Sequence, residues 1–235
     1  WGGGAGGEPH HQGDIDTGCD RQSGDGDSWR RPLKVCIIGA GGGIGQRLVG
    51  TFAKRHKVIG VYRSLSSAPG RSDIEPVRYA DQSALTHHIG AAQVVVHAAL
   101  NSRARGQAFI AENQAITENL LALLNPGNCR LFVYFSSQVV YSAYTPEDGR
   151  YSERDAIRVS EPIDSYTKLK IADEARVIEG CTAAGIPYLI VRPTVVMGPG
   201  MQWSSGIVAA MRKAPVGLRH RTMNVVHVDD LSDDL

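Results

Sequence analysis

The chain has 235 residues, a formal net charge of +1 and 42% hydrophobic residues. That length fits one α/β domain, or one domain with a tail. The balanced charge gives no reason to expect nucleic acid or an anionic membrane surface as a partner, and no apolar run reaches the length of a transmembrane helix.

Residues 1–31 are rich in Gly, Asp, His and Ser and nearly devoid of large apolar side chains. Such a segment cannot bury enough surface to offset its ordering entropy, so a disordered leader is expected. It lacks the apolar core of a signal peptide, and His10-His11 within it reads as part of a solvated tail. The four cysteines, Cys19, Cys36, Cys129 and Cys181, form no Cys-x-x-Cys pair. They read as free thiols of a reducing compartment, the cytoplasm, with no zinc site or disulfide frame. The start at Trp1 and the stop at Asp233-Asp234-Leu235 read as the ends of a piece of a longer protein.

From Leu33 the pattern changes. Leu33–Ile38 is a short apolar run suited to a strand buried on both faces. Glycines follow, then a helical pattern with Ile44, Leu48 and Phe52 on one face. Lys57–Tyr62 is a second strand, and a short extended segment is expected near Val77. Asp81 resembles an N-cap for a helix reaching His88. Gln93–His97 is the next strand, Ala108–Leu124 a helix ended by Asn125-Pro126-Gly127-Asn128, and Leu131–Phe135 a strand. Ser165 to about Ala184 is helical, with a core stripe expected at Ile171, Ala175 and Ile178, and Pro187–Val191 is a strand. Asp229 and Asp230 begin a last helix. This alternation predicts an α/β fold, a Rossmann-like doubly wound parallel sheet over residues 32–235. Ligands in such sheets bind beyond the carboxyl ends of the strands. The glycines, Ser136-Ser137 and Arg192-Pro193 all fall there.

Gly39-Ala40-Gly41-Gly42-Gly43-Ile44-Gly45 lies between a strand and a helix. A side chain at Gly39 or Gly42 would obstruct the turn or a pyrophosphate approaching the backbone, and Gly45 lets helix and sheet pack closely. The freed N–H groups and the helix dipole favour phosphates. An acidic residue at the end of the second strand would hold both ribose hydroxyls of NAD. Tyr62-Arg63-Ser64 stands there instead, and a guanidinium suits a 2′-phosphate. NADP is therefore favoured over NAD; the alternative is that Arg63 is a solvated loop cation.

Tyr166 and Lys170 are four apart and share one helix face. A free tyrosine titrates near pH 10, too high for a base at neutral pH; the Lys170 ammonium and a nicotinamide ring would favour the phenolate. Ser137, closing a strand upstream, could hold a substrate oxygen. The alternative is a purely structural Tyr166. The histidines have no metal-ligand spacing. His97, ending a strand, reads as a packed residue, and His56, His87 and His88 as surface or helix-end residues.

In order, these motifs resemble the extended short-chain dehydrogenase/reductase superfamily, and within it the NAD-dependent epimerase/dehydratase family, over Leu33 to the C-terminus. Gly39, Gly42 and Gly45 match its Gly-x-x-Gly-x-x-Gly turn. Val96-His97-Ala98-Ala99 resembles its HxAA segment, and Phe135-Ser136-Ser137 with Val140-Tyr141 its SS…VYG strand end. Arg192-Pro193-Thr194-Val195-Val196 with Gly198-Pro199-Gly200 resembles its RP…GPG segment, which touches the nicotinamide side, and His227-Val228-Asp229-Asp230 its HVDD. The resemblance implies Ser137, Tyr166 and Lys170 as the catalytic set. It implies Gly39, Gly42, Ile44, Gly45, Ala98, Ala99, Lys170, Pro193 and Val195 at the cofactor, to which the reading of the second strand's end adds Arg63.

Departures from the pattern matter. Arg78 stands where an aspartate usually meets adenine. Gln138 and Val139 replace the acidic residues of sugar 4,6-dehydratases, which disfavours that activity. The family usually continues past HVDD into a substrate-binding lobe, and this chain stops there. The expected function is NAD(P)-dependent oxidation or reduction at a secondary alcohol or ketone, including epimerisation, on a nucleotide sugar or related small molecule. The competing expectation is a catalytically silent NADP(H)-binding regulatory module, although such relatives typically lose the Tyr–Lys pair. The resemblance also implies a homodimer built on the Ala108–Leu124 and Ser165–Ala184 helices.

Overall fold

The computed structural model describes residues 31–143, 152–153, 164–201, 206, 209 and 224–235; the leader expected at residues 1–31 lies almost wholly outside them. Six strands form one parallel sheet in the order β3-β2-β1-β4-β5-β6. They are β1 (Lys34–Ile38), β2 (Lys57–Tyr62), β3 (Ile74–Arg78), β4 (Val94–His97), β5 (Leu131–Phe135) and β6 (Tyr188–Val191). The helices α1 (Gly43–Phe52), α2 (Gln82–Gly90), α3 (Gly106–Leu123) and α4 (Ser165–Ala184) connect them. A small parallel pair, β7 (Val195–Met197) with β8 (Val225–His227), precedes α5 (Val228–Asp233).

Strand alternation distributes the core over both faces of the sheet. Cys36, Ile38, Ile59, Val61, Val95, Phe132 and Tyr134 face Leu85, Ile89, Leu120, Val177 and Cys181, the inner sides of α2, α3 and α4. Val35, Ile37, Val58, Val94, Val96, Val133 and Phe135 face Leu48 and Val49 of α1, with Leu231 of α5 beside them. The central strands are buried on both sides, which is why each reads as a continuous apolar run.

Local chemistry sets the helix ends. The Asp81 carboxylate accepts from the Ala84 N–H at 3.0 Å and caps α2. Asp164 accepts from the N–H groups of Tyr166 and Thr167 at 2.8 and 3.0 Å and caps α4. Gly185, at φ +65°, closes α4 in the left-handed conformation that favours glycine.

The α4 stripe expected at Ile171, Ala175 and Ile178 is a correction. Ala175 and Ile178 are exposed and Ile171 is only half-buried. The inner face carries Thr167, Leu169, Lys170, Asp173, Glu174, Val177 and Cys181. Polar side chains took core positions because each finds a partner there, as detailed below. Cys36, Cys129 and Cys181 are free and buried; Cys19 lies outside the described residues. No helix among the described residues is long and apolar enough to cross a membrane.

Candidate active site

The strand order reverses direction between β1 and β4, and the turns after these two strands meet. Gly39 has φ +88°, and a Cβ there would lie 2.7 Å from the Ala99 backbone and 2.8 Å from that of Ala98. That close approach requires glycine and brings Ala98 and Ala99 against the turn. A Cβ on Gly45 would collide with the Gly39 carbonyl, so the third glycine closes the turn itself as much as the helix–sheet packing. A Cβ on Gly42 would sit at 3.3 Å from the same oxygen, so its need for glycine is milder within the chain. Ile44 is half-buried and packs on the α1 side of the core.

The N-terminus of α1 carries no side-chain cap and no acidic residue in its first turn. Its N–H groups and dipole therefore suit an anion. Beside it lies a cavity of about 500 Å³ lined by Ala40, Gly43, Tyr62, Ser66, Ser67 and Arg71 among others. Tyr62 is buried at its wall with a hydroxyl that has no hydrogen-bond partner. An open helix terminus, a roomy cavity and an orphaned hydroxyl fit a dinucleotide's phosphates and adenosine half.

Arg63 is exposed just past β2 and is not among the cavity-lining residues, whereas Arg47 and Arg71 are. Arg71 is held by a two-pronged contact with Asp73, and Arg47 pairs with Asp229 at 3.1 Å. Sequence reasoning missed both cations: Arg47 is on the first turns of α1, and Arg71 reaches the cavity only through the folded loop between β2 and β3. Arg78 ends β3 and is exposed.

At the end of β5, Ser136 is buried and Ser137 is half-buried. The Ser137 hydroxyl lies near enough to the Tyr166 side chain to favour its ionised form. Lys170 lies one turn further along α4, 5% exposed, with Nζ 5.8 Å from the centre of the Tyr166 ring. The three residues singled out as catalytic thus converge on one spot. Burial pushes the Tyr166 phenol above its ordinary value, the Ser137 hydroxyl pulls it down, and the Asp164 charge adds to the rise. Burial lowers Lys170 to about 8, against the opposing charges of Asp173 and Glu174.

Lys170 Nζ donates to the Phe135 carbonyl at 2.6 Å and to the Tyr134 hydroxyl at 3.1 Å. Tyr134 and Thr117 both donate to Asp173 Oδ2, at 3.1 and 3.0 Å. His97 Nε2 lies 3.1 Å from the Thr117 hydroxyl, and burial lowers His97 to about 3, so it is a neutral packed residue as expected. Arg192 makes a paired contact with Glu174, at 3.0 and 2.7 Å, and donates to the Tyr141 hydroxyl at 3.0 Å. These partners escaped sequence reasoning; the one signal was Asp173 and Glu174 falling three and four residues after Lys170.

The Pro193 carbonyl accepts from the Gln138 N–H at 3.0 Å, which seats it beside Ser137. Val195 begins β7 and is half-buried. Pro199 and Gly200 reach the glycine-turn cavity, and a Cβ on Gly43 would meet Met201 and Gly200. This segment therefore borders the phosphate side of the site as well as the Ser137 side. His88 pairs with Glu75 at 3.4 Å and His56 accepts from the Leu33 N–H at 3.3 Å.

None of the curated proteins matches the chain. Many solved structures share its fold. WbmH of Bordetella bronchiseptica, in complex with NAD+, superposes with a TM-score of 0.68 at 19% identity, over 87% of this chain and 71% of that one. UDP-glucuronic acid 4-epimerase of Bacillus cereus, with UDP-glucuronic acid and NAD, gives 0.67 at 21% identity, over 85% and 71%. dTDP-glucose 4,6-dehydratase of Bacillus anthracis, with NAD, gives 0.68 at 19%, over 86% and 69%. A family profile matches residues 35–232, so the glycine turn, the Ser–Tyr–Lys cluster and the sheet that carries them belong to a member of the NAD dependent epimerase/dehydratase family.

Proposed function

We propose that the protein is an NAD(P)-dependent oxidoreductase or epimerase acting at a secondary alcohol or ketone of a nucleotide sugar or a related small molecule. The observation that supports the proposal is the gathering of Ser137, Tyr166 and Lys170, with the buried Lys170 Nζ 5.8 Å from the centre of the Tyr166 ring and the Ser137 hydroxyl near the phenol. When bound, the dinucleotide supplies the hydride acceptor or donor and, in its oxidised form, a positively charged ring. Ser137 holds the substrate oxygen. Tyr166 takes the alcohol proton during oxidation and returns it during reduction. Lys170 spends two of its three donors on β5, which leaves one for a cofactor hydroxyl and fixes its charge near the phenol. Epimerisation is an oxidation followed by reduction from the other face, so the same residues serve it.

Gly39, Gly42, Ile44 and Gly45 would hold the phosphates, Ala98 and Ala99 the opposite side of the turn, and Pro193 and Val195 the ring end. Gln138 and Val139 offer no carboxylic acid next to Ser137, which weighs against 4,6-dehydration. The retained Tyr166–Lys170 pair weighs against a silent regulatory module. The outward faces of α3 and α4, where Ile178 is exposed, are the surfaces on which a homodimer would form.

Arg63 favours NADP. A charge-assisted bond to a 2′-phosphate contributes about 1.5–3 kcal/mol, so NADPH should bind about 10- to 100-fold tighter than NADH. Calorimetric titration of the four cofactor forms checks this, with Arg63→Ala narrowing the gap. Equal affinities would reassign the cofactor to NAD. Strong discrimination between redox forms, with no turnover of any nucleotide sugar, would favour the regulatory alternative.

A further inference from the structure

Beneath the Ser137–Tyr166 pair a chain of polar groups crosses from α4 to β5, α3 and β4, and its hydrogen bonds can be given a direction. His97 Nδ1 accepts from the Ala99 N–H at 3.4 Å, so the neutral ring carries its proton on Nε2 and donates it to the Thr117 hydroxyl at 3.1 Å. Thr117 then gives its single proton to Asp173 Oδ2 at 3.0 Å, in preference to the Asn113 carbonyl at 3.4 Å. From the other side Lys170 Nζ donates to the Tyr134 hydroxyl at 3.1 Å, and Tyr134 donates onward to the same Asp173 oxygen at 3.1 Å. Every proton points at Asp173, whose Oδ2 serves purely as an acceptor, as an ionised carboxylate does.

The other charges near Lys170 are accounted for. Glu174 is engaged by both arms of the Arg192 guanidinium. Arg176 approaches Asp173 Oδ1 no closer than 3.9 Å and gives its Nε to Glu118; Oδ1 itself has no hydrogen bond. Tyr166 and Tyr134 are protonated in the resting chain, since burial raises both, and His97 is uncharged. Asp173, 2% exposed, has only the distant Arg176 contact on Oδ1, while its Oδ2 receives the hydrogen-bond chain that leads from Lys170. A leucine at that position would pack against the sheet without the cost of burying a charge.

We infer that Asp173 is a positioning residue: acting through the Tyr134 hydroxyl, it holds Lys170 as an oriented ammonium below Tyr166. The function of that ammonium rests on the reading given above, but the dependence of its charge on Asp173 does not. Burial opposes both ions, lowering Lys170 and raising Asp173, and the opposite charge of each favours the ionised form of the other. Removing the carboxylate's charge must therefore make Lys170 lose its proton at lower pH. The alkaline limb of any activity that needs the ammonium must move the same way.

The test uses the cofactor-free protein labelled with carbon-13 at the lysine ε position, with the Lys170 resonance assigned by its loss in Lys170→Met. The expected result is a wild-type midpoint near pH 8 that falls by a unit or more, a tenfold loss of proton affinity, in Asp173→Asn, and by a smaller step in Tyr134→Phe. An unchanged or raised midpoint in a folded Asp173→Asn protein overturns the inference. If that variant does not fold, Tyr134→Phe, which deletes one hydroxyl, decides in the same way. Because the readout needs no substrate, an absence of turnover in the wild type would count against the proposed function and leave this result standing.

Discussion

Tyr166→Phe is expected to lower turnover by about 10²–10⁴-fold while leaving cofactor affinity within a few-fold of wild type. Among the described residues the phenol is the titratable group nearest Ser137, and the proposed mechanism has it both take and return the proton. Its ring is half-buried against the Lys170 ammonium, so phenylalanine keeps the packing and removes only the hydroxyl. Ser137→Ala should produce a loss of similar kind. The double variant should be little worse than the more damaged single one, because residues that act as a unit are not additive. Steady-state rates with a nucleotide sugar in the full-length protein, read across pH, check this. Turnover preserved in Tyr166→Phe at neutral and high pH alike would remove the residue from the chemistry.

The second large effect is on stability. Glu174→Ala is expected to cost about 3–5 kcal/mol, the usual result of leaving one partner of a buried ion pair alone. The side chains of Glu174 and Arg192 are 3% and 16% exposed, and two hydrogen bonds join them. Arg192 also donates to Tyr141 and lies over its ring at 5.1 Å, so the loss would loosen the turn after Ser137 as well. Replacing both partners by leucine should restore much of the stability, because the cost lies in the orphaned charge. Urea unfolding of the single and double variants measures both. A single variant within about 1 kcal/mol of wild type would mean that water compensates the guanidinium.

The parts of the fold legible in the sequence were those in which one side-chain property repeats. β1, β2, β4 and β5 are buried on both faces and bounded by glycine, polar or proline residues, so each stands out as an apolar run. β3 is an edge strand with Glu75, Pro76 and Arg78 exposed, and its pattern is correspondingly faint. α4 was misread because periodicity assigns polar side chains to water. Lys170, Asp173 and Glu174 are inside because β5, α3 and the end of β6 supply partners that no local window contains. The same reason separates the site into two parts. The glycines, Ser137, Tyr166 and Lys170 lie at element ends or on one helix face, where spacing alone brings them into view. Tyr134, Thr117, Asp173 and Arg71 reach their places in the site only through the tertiary fold.

The central claim, that Ser137, Tyr166 and Lys170 form one reaction centre beside a bound dinucleotide, is tested most directly by a crystal structure of the complex with oxidised NADP. The account predicts phosphates against the Gly39–Gly45 turn and the nicotinamide ring facing the hydroxyls of Ser137 and Tyr166, with Lys170 within hydrogen-bond reach of its ribose. A ring seated away from Tyr166, or a complex in which the two hydroxyls part, would contradict it.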